Sequence, residues 1–252
     1  MPVAATLSTI PLFSQLRESD LARLSQAVQQ RSFPKNSVIL FQDDPGAALY
    51  IVERGQVKVV ITAEDGREVI LSIRSKGDFF GEMSLIDDEP RSAHVIAVED
   101  SEIMILRRED FKMCLQEIPQ IAAGLLRALC KRLRQADNKI SSLVLQDVPS
   151  RVAGLLLQLA DENDGENITQ RLTHHMIAQM IGSSRETVSR TMRDLTSKGI
   201  IQTGRKTIRI SDRRDTPTHG LSGRLDSEVV EVSRRTITIL NRQALEDAAG
   251  QV

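Results

Sequence analysis

Between Ser32 and Leu106 the apolar residues fall in short runs: SVILFQ, ALYIVER, QVKVVIT, EVILSIR, HVIAV and EIMIL, all rich in Val and Ile. Asp44-Pro45-Gly46, Asp65-Gly66 and Lys76-Gly77-Asp78 punctuate them. Short β-type runs at regular spacing between turn residues predict a small sandwich or barrel of the jelly-roll kind. Asp65-Gly66, between KVVITAE and REVILSI, is the strongest hairpin signal, because a tight hairpin turn needs residues that tolerate positive φ. Residues 77–93 form the one irregular segment of this region.

After Arg108 the period changes. From Pro119 to Gln146 the apolar residues Leu126, Leu129, Leu133, Ala136, Ile140 and Leu143 follow one another at spacings of 3, 4, 3, 4 and 3. That is the a/d repeat of a long helix with one apolar stripe. Periodicity leaves open whether the stripe meets a second copy of the chain or its own barrel. Pro149 interrupts, SRVAGLLLQLA predicts a second helix, and the polar DENDGEN segment at 161–167 ends it. THHMIAQMIG and SSRETVSRTMRDLTSKGII then fit a helix-turn-helix. Thr173 caps the first helix, Gly182 permits the turn, and Ser183 with Glu186 forms a capping box for the second. Val188, Met192 and Leu195 make its inward face, which leaves Arg185, Glu186 and Arg190 outward.

Composition adds a division that pattern alone does not reveal. The 252 residues carry a formal net charge of −1, but residues 170–214 hold ten Lys and Arg against three Asp and Glu, a local +7 that leaves −8 for the rest. A basic helical unit inside a near-neutral chain points to duplex DNA. An Arg can bond bidentately to guanine and a Glu can accept from cytosine N4, the chemistry of major-groove recognition. Aromatic residues number six Phe, one Tyr and no Trp, which argues against stacking platforms for single strands or RNA. Cys114 and Cys130 lack the His or Cys neighbours of a metal site, so neither a metal nor a disulfide framework is expected, and a cytoplasmic protein is the default. No apolar stretch approaches membrane-spanning length, and the opening MPVAATLSTIPLF has no export signature, so no membrane partner is expected. Nor is there a Ser-His-Asp set, a Cys-His set or a P-loop; the chain is not expected to be an enzyme.

RLTHHMIAQMIGSSRETVSRTMRDL closely resembles the helix-turn-helix of the cyclic-AMP receptor protein/FNR family of bacterial transcription regulators. The resemblance implies that Arg185, Glu186 and Arg190 read bases of a TGTGA-type half-site. It also implies that Thr173, Ser184 and Thr187 lie at the DNA, where the hydroxyls of Thr173 and Ser184 hold phosphate and fix register. FGEMSLIDDEPRSA, residues 80–93, resembles the phosphate-binding cassette of cyclic-nucleotide domains: Gly-Glu, eight residues, then Arg-Ser-Ala. Gly81, Glu82, Met83, Ser84, Arg91, Ser92 and Ala93 are thereby candidate ligand residues. Glu82 would accept from a ribose 2′-OH, and Arg91 would fork onto the cyclic phosphate.

Continuing the match along IPQIAAGLLRALCKRLRQADNKI places Arg132 beside Glu82, and Ala136 and Asp137 where the family has base-contacting hydroxyls. Asp137 can still accept from a purine amino group, but the Ala136 side chain can do neither. The sugar-phosphate half of the site is therefore retained while the base half has changed. Cyclic AMP or another cyclic mononucleotide is the implied effector. Double-stranded DNA, a second copy of the chain and RNA polymerase are the implied partners.

The expected fold is α+β: a cyclic-nucleotide-binding β jelly roll over 1–118, a dimerisation helix and hinge over 119–147, and a winged helix-turn-helix over 148–252. The resemblance ends near residue 211. Two β-rich runs beyond it, 200–211 and 228–240, predict an extended wing hairpin with an insertion at its tip, closed by a short helix capped at Asn241. Two rival readings are an effector-independent regulator whose cassette is vestigial, with Glu82 and Arg91 paired to each other, and a nucleotide-binding adaptor for proteins.

Overall fold

The computed structural model describes residues 3–162, 167–168, 170, 172–208 and 232–250. It divides into two compact units, residues 1–145 with 178–183 and residues 146–177 with 184–252. The polar insertion and the greater part of the 161–167 loop lie outside the described residues, as do Arg171 and residues 209–214 of the basic segment.

The first unit opens with two helices, α1 (Val3–Ser8) and α2 (Glu18–Ala27). Eight strands follow: β1 (Gln29–Phe33), β2 (Val38–Leu40), β3 (Ala48–Arg54), β4 (Gln56–Thr62), β5 (Glu68–Ser75), β6 (Phe79–Phe80), β7 (His94–Ala97) and β8 (Ser101–Arg107). A single-turn helix, α3 (Met83–Ile86), lies between β6 and β7. The strands form two antiparallel sheets, ordered β1-β8-β3-β6 and β2-β7-β4-β5, which is the predicted jelly roll. The hairpin at Asp65-Gly66 joins β4 to β5, with Gly66 at φ 81° and its amide bonded to the Ala63 carbonyl.

Two apolar clusters explain why β3 and β8 are nearly continuous apolar runs. Leu49, Ile51, Met104 and Leu106 face helices, together with Leu7, Phe13, Phe111 and Ile121. Their alternates Val52 and Ile103 face the other sheet, with Val57, Phe80 and Val95. A strand covered on both sides has no polar face to show. In β4 the buried residues are Val57 and Val60, an odd spacing that a bulge between Val59 and Val60 makes possible.

Helix α4 (Arg108–Glu117) leads into α5 (Pro119–Leu145), the long helix that the heptad spacing predicts. Ile121 and Leu125 bury one face of α5 in the core, and Leu129 packs against it. The remaining a/d residues do not: Leu126, Leu133 and Ile140 are 64, 63 and 61 % exposed.

In the second unit, α6 (Val148–Asp161) starts at Asp147, whose carboxylate accepts from the Ser150 amide, with Pro149 in its first turn. Pro is harmless there because that N–H has no helical partner. Val152, Leu156 and Leu159 of α6 are buried, as are Val188, Met192 and Leu195 of α8 (Arg185–Ser197). Strand β9 (Asn167–Ile168) precedes α7 (His174–Ile181), and Gly182, at φ 64°, makes the turn into α8.

The wing is a hairpin of β10 (Ile201–Ile208) and β11 (Val232–Ile239), paired from Ile201↔Ile239 to Ile208↔Val232, with β9 on the far side of β11. The chain closes with α9 (Arg242–Ala249), capped by Asn241, whose side chain accepts from the Ala244 amide. Hairpin and capped helix follow the sequence expectation. Helices α1 to α3 and strands β1, β6 and β9 carry no pattern that isolates them.

Candidate functional site

The cassette occupies the turn after β6. Gly81 has φ 80°, a conformation side chains avoid, and a Cβ there would lie 2.7 Å from the Arg91 guanidinium. Glycine is thus needed twice, for the backbone angle and for the approach of Arg91. Glu82, Ser84, Arg91 and Ala93 are buried, whereas Met83 and Ser92 face solvent.

Arg91 is only 4 % exposed. Its Nη1 donates to the Gly81 carbonyl (2.5 Å) and to Ser84 Oγ (2.7 Å), and its Nη2 to the Ala48 carbonyl (2.9 Å). It also lies over the Tyr50 ring, 5.7 Å from the centroid. All these partners are neutral, the buried Nε has none, and among the described residues no carboxylate forms an ion pair with Arg91. Burial pushes the guanidinium pKa down, against the opposing pull of Tyr50 and Glu82. A buried cation without a counter-ion is costly and fits a bound anion.

Glu82 does not pair with Arg91, so the paired arrangement expected of a vestigial cassette is absent. Its Oε1 instead accepts from Arg132 of α5 at 2.6 Å. Arg132 also donates to the Phe79 carbonyl (2.6 Å) and stacks on the Phe79 ring, 4.3 Å from the centroid. One arginine therefore ties the long helix to both ends of the turn that begins the cassette. Ala136 and Asp137 are exposed on the same helix. One turn of α5 further on, the half-buried Lys139 donates to the Ile70 carbonyl of β5 (2.8 Å), and burial lowers its pKa.

Two contributors escaped sequence reasoning because they lie far along the chain. Tyr50 of β3 stacks on Phe80, with centroids 5.3 Å apart, beneath Arg91. Arg108, the first residue of α4, donates to the Gly46 carbonyl through Nε (2.9 Å) and to the Ser84 carbonyl through Nη2 (2.9 Å), and pairs with Asp88. It staples the cassette from behind. His94 is a barrel residue, with Nδ1 accepting from the Gln42 amide.

In the second unit Arg185, Glu186 and Arg190 are exposed on α8, while Val188, Thr191, Met192 and Leu195 are buried. The expected cap at Ser183 is displaced by one residue. Ser184 is the N-cap, accepting from the Thr187 amide (3.1 Å) and bonded to the half-buried Thr187 hydroxyl (3.0 Å). Ser184 has the extended backbone a cap requires, and the S-x-x-E spacing from Ser183 misleads because Ser184 offers a second hydroxyl three residues before Thr187. Thr173 is exposed and caps α7 as expected, accepting from the Met176 amide (3.1 Å). His174 Nδ1 meets Ser189 Oγ (2.9 Å), joining α7 to α8. Among the described residues no helix is long and apolar enough to cross a membrane, and no cluster of His, Cys, Asp and Glu has the makings of a metal site.

Comparison with known proteins identifies both domains. Residues 30–117 match the cyclic nucleotide-binding domain and residues 150–215 the Crp-like helix-turn-helix domain. The CRP-like cAMP-activated global transcriptional regulator of Mycobacterium tuberculosis is 35% identical over 211 residues, 82% of this chain and 94% of that protein. The cyclic AMP receptor protein of Thermus thermophilus is 36% identical over 202 residues, 80% of this chain and 93% of that one. FixK2 of Bradyrhizobium japonicum shares the fold with a TM-score of 0.70 at 23% identity, covering 89% of this chain and 98% of FixK2. The chain belongs to the cyclic-AMP receptor protein/FNR family of transcription regulators, with a cyclic nucleotide-binding domain and a DNA-binding helix-turn-helix.

Proposed function

We propose that the chain is a homodimeric, sequence-specific transcription regulator whose DNA affinity is set by a cyclic mononucleotide, with cyclic AMP the first candidate. The observation that carries this reading is the charge balance of the Glu82, Arg91 and Arg132 cluster. Glu82 and Arg91 are the charged residues buried among the described ones, and Glu82 is already matched by Arg132. One carboxylate and two guanidiniums leave a net +1, which suits the single negative charge of a cyclic phosphodiester. In this reading the phosphate takes the orphaned Arg91 Nε and the Ser92 hydroxyl, and the ribose 2′-OH donates to Glu82. Gly81, Met83, Ser84 and Ala93 shape the turn that holds them.

Arg132 links that turn to α5, and the exposed Leu126, Leu133 and Ile140 give α5 an apolar stripe for a second copy. Domain limits of 1–118, 119–147 and 148–252 place the hinge at Asp147 and Pro149. The effector biases that hinge only insofar as it binds the DNA-competent state better. Arg185, Glu186 and Arg190 read TGTGA-like half-sites about one helical turn apart, with Thr173, Ser184 and Thr187 at the backbone. RNA polymerase is the expected further partner and the cytoplasm the expected location. The chemistry is binding, with no catalytic step.

Calorimetric titration with cyclic AMP and cyclic GMP tests the reading. Cyclic AMP binding that is lost in Arg91→Gln, and that tightens association with a TGTGA-bearing duplex, is the expected result; equal DNA affinity with and without either nucleotide defeats the gating. A second reading, regulation without an effector, draws on Ala136 and Asp137, which give the base half little to hold. It is the reading that such equality would support.

A further inference from the structure

Between the two points where α5 is bonded to the barrel, a single side chain is withdrawn from solvent without a bond of its own. Arg132 is held at the cassette turn, and Lys139 at the Ile70 carbonyl of β5. Of the residues between them, 133, 134, 136, 137 and 138 are exposed, whereas Gln135 is half-buried. Gln135 follows Arg132 by three positions and precedes Lys139 by four, the spacings that put residues on one helix face. Its amide has no hydrogen-bond partner among the described residues. Taking a polar group from water without giving it a partner is a cost that folding does not require.

Ligand chemistry brings a base to this place. In a nucleotide the 2′-OH is on the ribose carbon next to the one that bears the base. A ligand whose 2′-OH donates to Glu82 therefore holds its base beside the Glu82–Arg132 pair. On the N-terminal side of Arg132 the seam between α5 and the barrel is closed, since Ile121 and Leu125 are buried in the core and Ala128 and Leu129 pack against it. On the C-terminal side Ala136 contributes only a methyl group, and Lys139 marks the far end, about 10 Å along the helix axis from Arg132. Gln135 is the polar side chain on the barrel face of α5 within that interval.

We propose that Gln135 is the base-reading residue of the cassette, with Nε2 donating to adenine N7 and Oε1 accepting from the N6 amino group. The inference rests on the cyclic-nucleotide reading of Glu82 and Arg91, and it names the base that their site selects. Glutamine pairs bidentately with adenine because that edge offers one acceptor and one donor. The same edge of guanine offers two acceptors, N7 and O6, so the amide oxygen would face another oxygen. A site built to hydrogen-bond one ligand rejects another by leaving its own polar groups unpaired. Ala136 and Asp137, one and two positions further on, are both exposed, and neither is needed to hold the base.

The test is calorimetric titration of the full-length chain and of Gln135→Leu, which keeps much of the side-chain bulk and removes both polar atoms. The ligands are cyclic AMP, cyclic GMP and 7-deaza cyclic AMP, which lacks the N7 acceptor. The unmodified chain should bind cyclic AMP about tenfold or more tightly than cyclic GMP, the discrimination of one good bidentate pair, with the 7-deaza analogue in between. Q135L should lose about tenfold toward cyclic AMP, stay unchanged toward cyclic GMP, and no longer distinguish cyclic AMP from its 7-deaza analogue. If Leu at this position perturbs folding, Gln135→Glu gives the second measurement: it keeps the acceptor, lacks the donor, and should likewise lose the distinction that N7 makes. Cyclic AMP affinity unchanged in both variants, or equal affinity of the unmodified chain for cyclic AMP and cyclic GMP, overturns the base-reading assignment alone and leaves the cyclic-nucleotide site standing. Failure of the unmodified chain to bind any of the three ligands overturns the assignment together with the reading beneath it.

Discussion

Replacing Arg132 by Met would isolate the link between cassette and long helix. The Glu82 side chain is 4 % exposed and that of Arg132 20 % exposed, so the substitution strands a carboxylate in the protein interior. Breaking a buried ion pair from one side costs about 3–5 kcal/mol. The lower end applies here, since the solvent that reaches Arg132 can partly hydrate the orphan, and Met retains some packing on Phe79. The loss of the bond to the Phe79 carbonyl adds about 1 kcal/mol. A total near 4 kcal/mol corresponds to a fall of about 8–16 °C in thermal midpoint for a chain of this size. Thermal and urea unfolding, read at one fixed protein concentration because association would itself stabilise the fold, give the measurement. Adding Glu82→Gln should restore most of the loss, because a neutral pair in place of a buried ion pair is close to neutral in energy. The reasoning is refuted if R132M costs under about 1 kcal/mol, or if the double variant loses as much as the two single variants summed.

Ser184→Ala should destabilise the second unit by about 1 kcal/mol, whereas Ser183→Ala should stay within about 0.5 kcal/mol, as thermal unfolding of each variant will show. Leu133→Asp places a charge in the exposed stripe of α5 and should convert a dimer into a monomer in sedimentation equilibrium while leaving the barrel folded; a dimer that persists removes the stripe as the interface. Leu245 of α9 is fully buried, and Gln146 Nε2 donates to the Ala249 carbonyl at 3.1 Å, so α9 is part of the second unit's core rather than an appendage. Leu245→Ala should cost about 2–5 kcal/mol by chemical denaturation, whereas a loosely attached tail would show almost no change.

How much of this was legible in the chain follows from how local each feature is. The jelly-roll strands, the long helix and the wing hairpin each declare themselves within one run of residues, by Val- and Ile-rich composition, by heptad spacing or by paired β-type segments. The exposed face of α8 was likewise fixed by the positions of Val188, Met192 and Leu195 alone. Cap identity was not, since Ser183 and Ser184 offer the same hydroxyl at neighbouring positions and only the backbone angles at Ser184 decide between them. Strands as short as β6 and β9 lack room for a period to show.

The cassette lies between these cases. Its Gly-Glu and Arg-Ser-Ala ends sit within fourteen residues and are visible as a motif, but their pairing is not, because charge partners are chosen in three dimensions. Glu82 has Arg91 nine positions away and takes Arg132 fifty positions away. The reason is geometric. The turn at Gly81 brings the Arg91 guanidinium against the Gly81 and Ala48 carbonyls and Ser84, where its fork is occupied by neutral oxygens, while α5 delivers Arg132 to the Glu82 carboxylate. Arg108 fixes the same turn from the far side through the Gly46 and Ser84 carbonyls. A motif thus specifies which groups a phosphate would meet. Whether the cation among them is left without a carboxylate, and so able to attract that phosphate, depends on Ala48, Arg108 and Arg132, residues that no reading of positions 80–93 could supply.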